Sequence, residues 1–308
     1  MLGALASIPY VVAPEKTLID HVPFIGPLKL QVFGPLVAIG VILGWHRGLA
    51  FARKKGMDEW LVRDYMWWQL VAAFVMAHWV SVLFYFPEQV KEDPWVLLAF
   101  WNGLSSVGGF FGGLLGALWF CRKHDQPLVP YLDLSVYGLL LGWVFGRLGC
   151  SLVHDHPGKI ADPDFFLAVG PWPDGTFRYD LGLYEWFFAT VLTVIVHGFT
   201  KPWTWRPGRL LGLVVVAYAP FRFAMDFLRA DAPSRGVTSV PDVRYMGLTT
   251  AQWFTVAFFI GGIYLLFFRK KRPSDDAFAR PKPGGPPLDT EGSEDEPAPG
   301  SDQGTDTP

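Results

Sequence analysis

The sequence predicts an all-α, polytopic membrane protein of about seven transmembrane helices, with its N-terminus outside and its C-terminus cytoplasmic. Composition comes first: of 308 residues 51% are hydrophobic and only 18% charged, with 14 Trp and 26 Phe. Apolar runs of about 18 residues or more recur along the chain, the length that crosses a bilayer as a helix. They are too long and too continuous for the alternating strands of a membrane barrel, the only other architecture that satisfies every backbone polar group in lipid. The net charge of −2 carries little weight, because the acidic C-terminal end contributes heavily to it.

The predicted spans are 30–46, 66–86, 96–120, 131–153, 183–200, 208–228 and 250–268. Cations follow alternate spans: Arg47, Arg53, Lys54, Lys55 and Arg63 after the first, Arg122 and Lys123 after the third. Lys201, Arg206 and Arg209 follow the fifth, and Arg269-Lys270-Lys271-Arg272 the seventh. The other loops, around Glu88–Asp93 and Ile160–Asp164, are poorer in them. Positive loops stay inside, which sets the orientation. Residues 1–29 hold no Lys or Arg ahead of a first apolar stretch, as a cleavable signal would require, and read as an outer-face arm. Residues 30–272 form the membrane domain. Residues 273–308 are Pro, Gly, Ser and acidic, with almost nothing apolar after Phe278, and are expected to be a disordered cytoplasmic tail. There is no internal repeat.

The third span is rich in glycine: Gly103, Gly108, Gly109, Gly112, Gly113 and Gly116. Small residues let membrane helices approach closely, and the Gly108-Gly109 pair also leaves backbone open to a ligand. The two cysteines, Cys121 and Cys150, fall at opposite membrane faces, where they cannot bridge, and neither lies in a metal-ligand spacing. Cys150 reads as a small buried residue.

Two arginines stand out. Arg147 lies in Gly146-Arg147-Leu148-Gly149-Cys150 at the end of one apolar run, and Arg222 ends another that starts at Leu210. A cation at membrane depth is costly unless it faces a cavity, a partner or an anion. Each is open to a plain reading as a structural arginine paired with a carboxylate such as Asp226 or Asp155. Together they point to a site for a negative group that lives in the bilayer, a phospholipid headgroup being the obvious one. His154-Asp155-His156 follows Arg147 at the same boundary, and imidazole is the commonest general base near neutrality. The plain alternative is a polar loop leaving the lipid.

Taken in order, these segments resemble the prolipoprotein diacylglyceryl transferase family, over roughly residues 24 to 272. The matching pieces are Phe24-Ile25-Gly26-Pro27, Phe100-Trp101-Asn102-Gly103 leading to Gly108-Gly109, Gly146-Arg147-Leu148-Gly149, and Leu183-Tyr184-Glu185. Tyr218-Ala219-Pro220-Phe221-Arg222 follows, then Asp226-Phe227-Leu228-Arg229-Ala230-Asp231 and Met246-Gly247-Leu248-Thr249-Thr250-Ala251-Gln252. The chain departs from the family pattern in places. The family's histidine before the paired glycines is Val107 here, a first-span tyrosine is Phe33, and a second-span arginine is His78. The signature asparagine is Cys150, and the signature glutamate aligns with Asp155.

The resemblance implies seven spans and transfer of the diacylglyceryl group of phosphatidylglycerol to the lipobox cysteine of a prolipoprotein signal peptide. It implies the bacterial inner (plasma) membrane as the place. Arg147 and Arg222 are then the phosphate-handling pair, with His154, Asp155 and His156 the proton-handling candidates and His78 a weaker one. Gly108, Gly109, Gly149, Tyr218 and Arg229 are expected to meet substrate. No cofactor, metal or nucleic acid is expected. Two other readings stay open: a homologue that binds phospholipid or signal peptide without turnover, and a transporter or receptor. Against the last, there is no pair of broken helices in corresponding halves.

Overall fold

The computed structural model describes residues 7–22, 26–100, 103–230 and 244–279. Among them, six helices are long and apolar enough to cross a membrane: Phe33–Lys55, Glu59–Phe84, Leu128–Val153, Leu181–Phe199, Arg209–Leu228 and Ala251–Phe268. Their α-helical parts are α1 (Phe33–Lys55), α2 (Glu59–Val80), α5 (Leu128–Val153), α6 (Leu181–Val194), α7 (Arg209–Met225) and α8 (Thr250–Ile263). α2, α6 and α8 each run on through five π-helical residues, which carry the 14-residue α6 and α8 to span length. The protein is a helical membrane protein, and the predicted spans coincide with these helices to within a turn or two, except at the first span's end and the third span.

The third span, expected over 96–120, is displaced. Residues Pro94–Leu98 form a 3-10 turn, and the helix begins only at Ser106, running to Lys123 as α4. Gly103 sits at φ +63° ahead of it, a conformation that interrupts a helix, and Ser105 caps the new start by accepting from the Gly108 amide at 3.4 Å. A short helix, α3 (Pro87–Glu92), lies in the same connection.

Three helix pairs are held at short range by glycine. On α4, a Cβ at Gly108 would come within 2.4 Å of the Met76 carbonyl of α2, and one at Gly112 within 2.3 Å of that of Ala72. Gly44 of α1 and Gly138 of α5 face each other in the same way, at 2.6 and 2.8 Å, and Gly212 of α7 meets the Leu266 amide at 2.7 Å. In lipid there is little hydrophobic drive between helices, so backbone approach of this kind supplies the contact.

At one end of the bundle lies a small β layer: β1 (Ile8–Pro9), β4 (Pro157–Ile160), β5 (Ala168–Gly170) and β6 (Arg178–Asp180), in the order β1-β5-β6-β4. The N-terminal arm is thus built into the fold through β1, while β2 (Lys16–Val22) and β3 (Gly26–Leu30) make a hairpin, and β7 (Arg244–Tyr245) and β8 (Leu248–Thr249) another.

At the opposite end, buried Asp133 of α5 accepts from the amides of Gly208 (2.6 Å) and Leu211 (2.9 Å), capping α7. Arg206 donates to the carbonyls of Leu265, Leu266 and Arg269, the otherwise unpaired end of the last span. Residues Pro273–Ala279 form a 3-10 helix, tied back by an Arg269–Asp275 pair at 2.6 Å with both side chains buried. Phe278 is 5% exposed and joins the core with Phe51, Tyr131 and Leu134. Phe278 and the Arg269–Asp275 pair tie to the bundle seven residues that composition assigns to a tail. The remainder of that tail, 280–308, lies outside the described residues, as do residues 1–6, Phe24 and Ile25, Trp101 and Asn102, and Asp231.

Candidate functional site

The site lies at the sheet end, where α5, α6 and α7 meet. Arg147, in the last turns of α5, places its Nε 2.6 Å from Oε2 of Glu185 on α6. Arg222 of α7 approaches the other oxygen of the same carboxylate at 3.8 Å, and Asp226 Oδ1, one turn on, at 3.4 Å. Arg229 stands 4.0 Å from Asp226. The carboxylates are the more deeply buried members, at 5% and 2% side-chain exposure, with Arg147 and Arg222 part-buried at 16% and 23%. Asp226 is anchored from below by the Thr249 hydroxyl at 2.5 Å, and Thr249 in turn begins α8 with a reciprocal cap to Gln252. Tyr218 stands edge-on to Trp143 with ring centroids 4.6 Å apart.

The plain reading of each arginine is therefore part of the answer, since each has a carboxylate partner. The arrangement exceeds simple pairing, however. Two guanidinium groups converge on one buried carboxylate whose Oε2 accepts no well-directed hydrogen bond. Glu185, a lone acid early in an apolar span, carried a signal that sequence reading quoted as part of a motif without assigning it a role.

The three residues after the span end divide. His154 takes up a left-handed conformation (φ +51°, ψ +40°) as the helix ends. Its ring turns away from Arg147 into the β layer: Nδ1 is 2.5 Å from Asp180 Oδ2, Nε2 is 3.1 Å from the Val11 carbonyl, and Tyr10 stacks on it at 4.2 Å. Asp180 meanwhile caps α6 through its other oxygen, 3.0 Å from the Leu183 amide. His154 is 6% exposed and holds the arm, the sheet and α6 together.

His156 faces the site. Its Nε2 is 3.3 Å from Arg147 Nη1 and its Nδ1 is 2.5 Å from Asp155 Oδ1. A guanidinium can only donate, so Nε2 must accept and the ring proton sits on Nδ1, directed at Asp155. The result is a carboxylate–imidazole dyad whose remaining lone pair accepts from the arginine. Both members are less than half exposed, at 42% for His156 and 44% for Asp155, and so remain open to water. Cys150 completes the group, its Sγ 3.9 Å from the same Nη1.

The other expected residues are placed as follows. Gly149 is covered by Phe33: a Cβ there would meet the ring at 2.7 Å. Gly108 is filled by α2, while Gly109 is looser, its nearest neighbour the Ala77 Cβ at 3.8 Å. Val107 is 63% exposed on α4. His78 is fully buried, with its ring nitrogens 3.3 and 2.9 Å from the carbonyls of Gly103 and Val96, and braces the turn before α4. Outside the bundle, Asp174 accepts from the hydroxyl and amide of Thr176 and from Arg178, which hold its carboxyl well below the usual range.

With that geometry in view, the sequence can be set beside known proteins. The model of the family described as prolipoprotein diacylglyceryl transferase matches residues 21–268, most of the chain. The chain belongs to this family. Relatives named phosphatidylglycerol–prolipoprotein diacylglyceryl transferase include one from Chromohalobacter salexigens, 29% identical over 255 residues, covering 82% of this chain and 93% of that one. Another, from Nitrobacter winogradskyi, is 26% identical over 277 residues (84% and 92%), and one from Pseudomonas aeruginosa is 29% identical over 269 residues (84% and 94%). The match spans the helices that carry Arg147, Glu185 and Arg222, and it takes in Val107, Phe33 and Cys150.

Proposed function

We propose that this family member transfers the diacylglyceryl group of phosphatidylglycerol to the lipobox cysteine thiol of prolipoproteins, in the bacterial inner (plasma) membrane. In this reading α4 is the seventh span, the β layer faces outward and the C-terminus is cytoplasmic, as the distribution of Lys and Arg in the loops favours. The observation that carries the proposal is the convergence of Arg147 and Arg222 on one buried carboxylate. A phosphate carries the same charge and the same fork-matching geometry as that carboxylate, and guanidinium suits both.

The chemistry balances on these side chains. The substrate thiol loses its proton to a base, and its sulfur attacks the glyceryl carbon. The carbon–oxygen bond to the phosphate breaks, and glycerol phosphate departs with the electron pair. Arg147 and Arg222 meet the charge that develops on the departing phosphate, in a dry site where fixed cations act most strongly. A free thiol is mostly protonated near neutrality, and the His156 lone pair, oriented through Asp155, is the acceptor next to Arg147. Arg229 adds a third cation beside Asp226, and His154 holds the β layer in place.

The test is transfer from phosphatidylglycerol to a lipobox peptide, together with complementation of a strain depleted of its own transferase. Arg147→Gln and Arg222→Gln should each lower transfer by about 10²–10³-fold, the cost of losing one charge-stabilising donor, while the protein still inserts. Near-normal transfer in both variants overturns the site. Exposed Val107 in place of the family histidine favours one other outcome, a homologue that binds phospholipid without turnover. Lipid binding with no transfer by the unsubstituted chain would show that.

A further inference from the structure

We infer that Cys150, Asp155 and His156 form a binding site for a thiophilic divalent cation of the zinc class, which competes with Arg147 for the same position. One ligand atom from each residue lies within 4.8 Å of the other two. The sequence hides this group because its members sit one helical turn and a left-handed residue apart, in no recognisable spacing. It becomes a cluster only when His154 at φ +51° turns the chain back over Cys150.

Arg147 marks the cation position. Its Nη1 lies 3.3 Å from His156 Nε2 and 3.9 Å from Cys150 Sγ, so a positive group already sits between the two softest donors. The imidazole is in the right tautomer for a metal: its Nε2 lone pair, now accepting from Arg147 Nη1, becomes available when that group gives way, and Nδ1–H is held by Asp155. Thiolate, imidazole and carboxylate together select zinc or cadmium over the hard cations magnesium and calcium. Ligand atoms around a tetrahedral zinc lie about 3–4 Å apart, given bonds of about 2.0–2.3 Å. The group therefore contracts by about an ångström, and the part-exposed Asp155 and His156 side chains have room to do so.

The thiolate and Asp155 match the two charges of the ion, and Glu185 stays with Arg147 and Arg222. Arg147 keeps its Nε contact with Glu185 while Nη1 gives way. On binding, the Cys150 thiol releases its proton to solvent as the metal–sulfur bond forms. The ion then occupies the His156 lone pair and presses on Arg147, so the site acts as a brake on whatever chemistry those two residues perform.

Binding is measured independently of transfer, so its failure is distinct from failure of the transferase reading. Full-length protein in detergent is titrated with cadmium, following thiolate-to-metal charge-transfer absorption in the ultraviolet. One ion per chain is expected. Cys150→Ser should abolish the band and Cys121→Ser should keep it. His156→Gln and Asp155→Asn, at part-exposed positions that leave the core intact, should weaken binding by about tenfold or more. Zinc should displace cadmium, and magnesium should not. No band, a band that persists in Cys150→Ser, or unchanged affinity in both part-exposed variants overturns the site.

Discussion

Arg147 Nε and Glu185 Oε2 lie 2.6 Å apart across the α5–α6 interface, with the side chains 16% and 5% exposed. Removing one partner of such a pair leaves the other charged in a dry place, which costs about 3–5 kcal/mol, whereas removing both costs far less. Arg147→Gln and Glu185→Gln should each lower the thermal midpoint in detergent. The double variant should lose less than the two single losses summed, by a coupling of about 1–3 kcal/mol. Because Arg222 also approaches Glu185, recovery should be incomplete. Strictly additive losses would mean that the two side chains do not share a partner energetically.

The two histidines should separate by phenotype. His154→Gln removes contacts to Asp180 and Val11 from a residue that joins three elements. It should show mainly as lost stability and loosened N-terminal arm, read by limited proteolysis ahead of β2. His156→Gln should leave the melting behaviour near normal and flatten the rise of transfer rate with pH that an imidazole base produces. If His154→Gln flattens the profile and His156→Gln does not, the dyad is misassigned.

Adjacent glycines on α4 should differ sharply. Gly108→Ala puts a methyl 2.4 Å from the Met76 carbonyl and should cost about 1–3 kcal/mol or force α2 and α4 apart. At Gly109 the nearest atom is 3.8 Å away, ordinary contact, so Gly109→Ala should be tolerated. Thermal stability and yield of folded protein in detergent read the difference. Equal sensitivity at the two positions would contradict the packing.

Chain end and topology can be tested together. A stop after Ala279 should leave insertion and stability intact. A stop after Arg272 removes Asp275 and Phe278, and losing a buried Phe side chain costs about 3–5 kcal/mol. A reporter fused after Arg272 should read cytoplasmic and one inserted near Gly175 should read external. A tail that reads external would reverse the orientation proposed.

Element type and extent were legible in the sequence because a bilayer imposes its own ruler: a helix must stay apolar for its full crossing, and that requirement leaves a long local signal. Arg147 and Arg222 were legible for the same reason, each being an expensive residue in an apolar run. Their shared partner was not, since nothing local says that Glu185 of α6 stands between α5 and α7. The late start of α4 depended on Gly103 at positive φ and on buried His78, which local hydrophobicity does not register. Residues 273–279 read as tail because composition sums over a window, while the order rests on one Phe and one ion pair finding partners in the core. His154, Asp155 and His156 are equivalent as neighbours in a sequence. The left-handed turn at His154 alone sends one ring into the β layer and the other toward Arg147, because direction in space is a property of backbone dihedrals and of what packs around them.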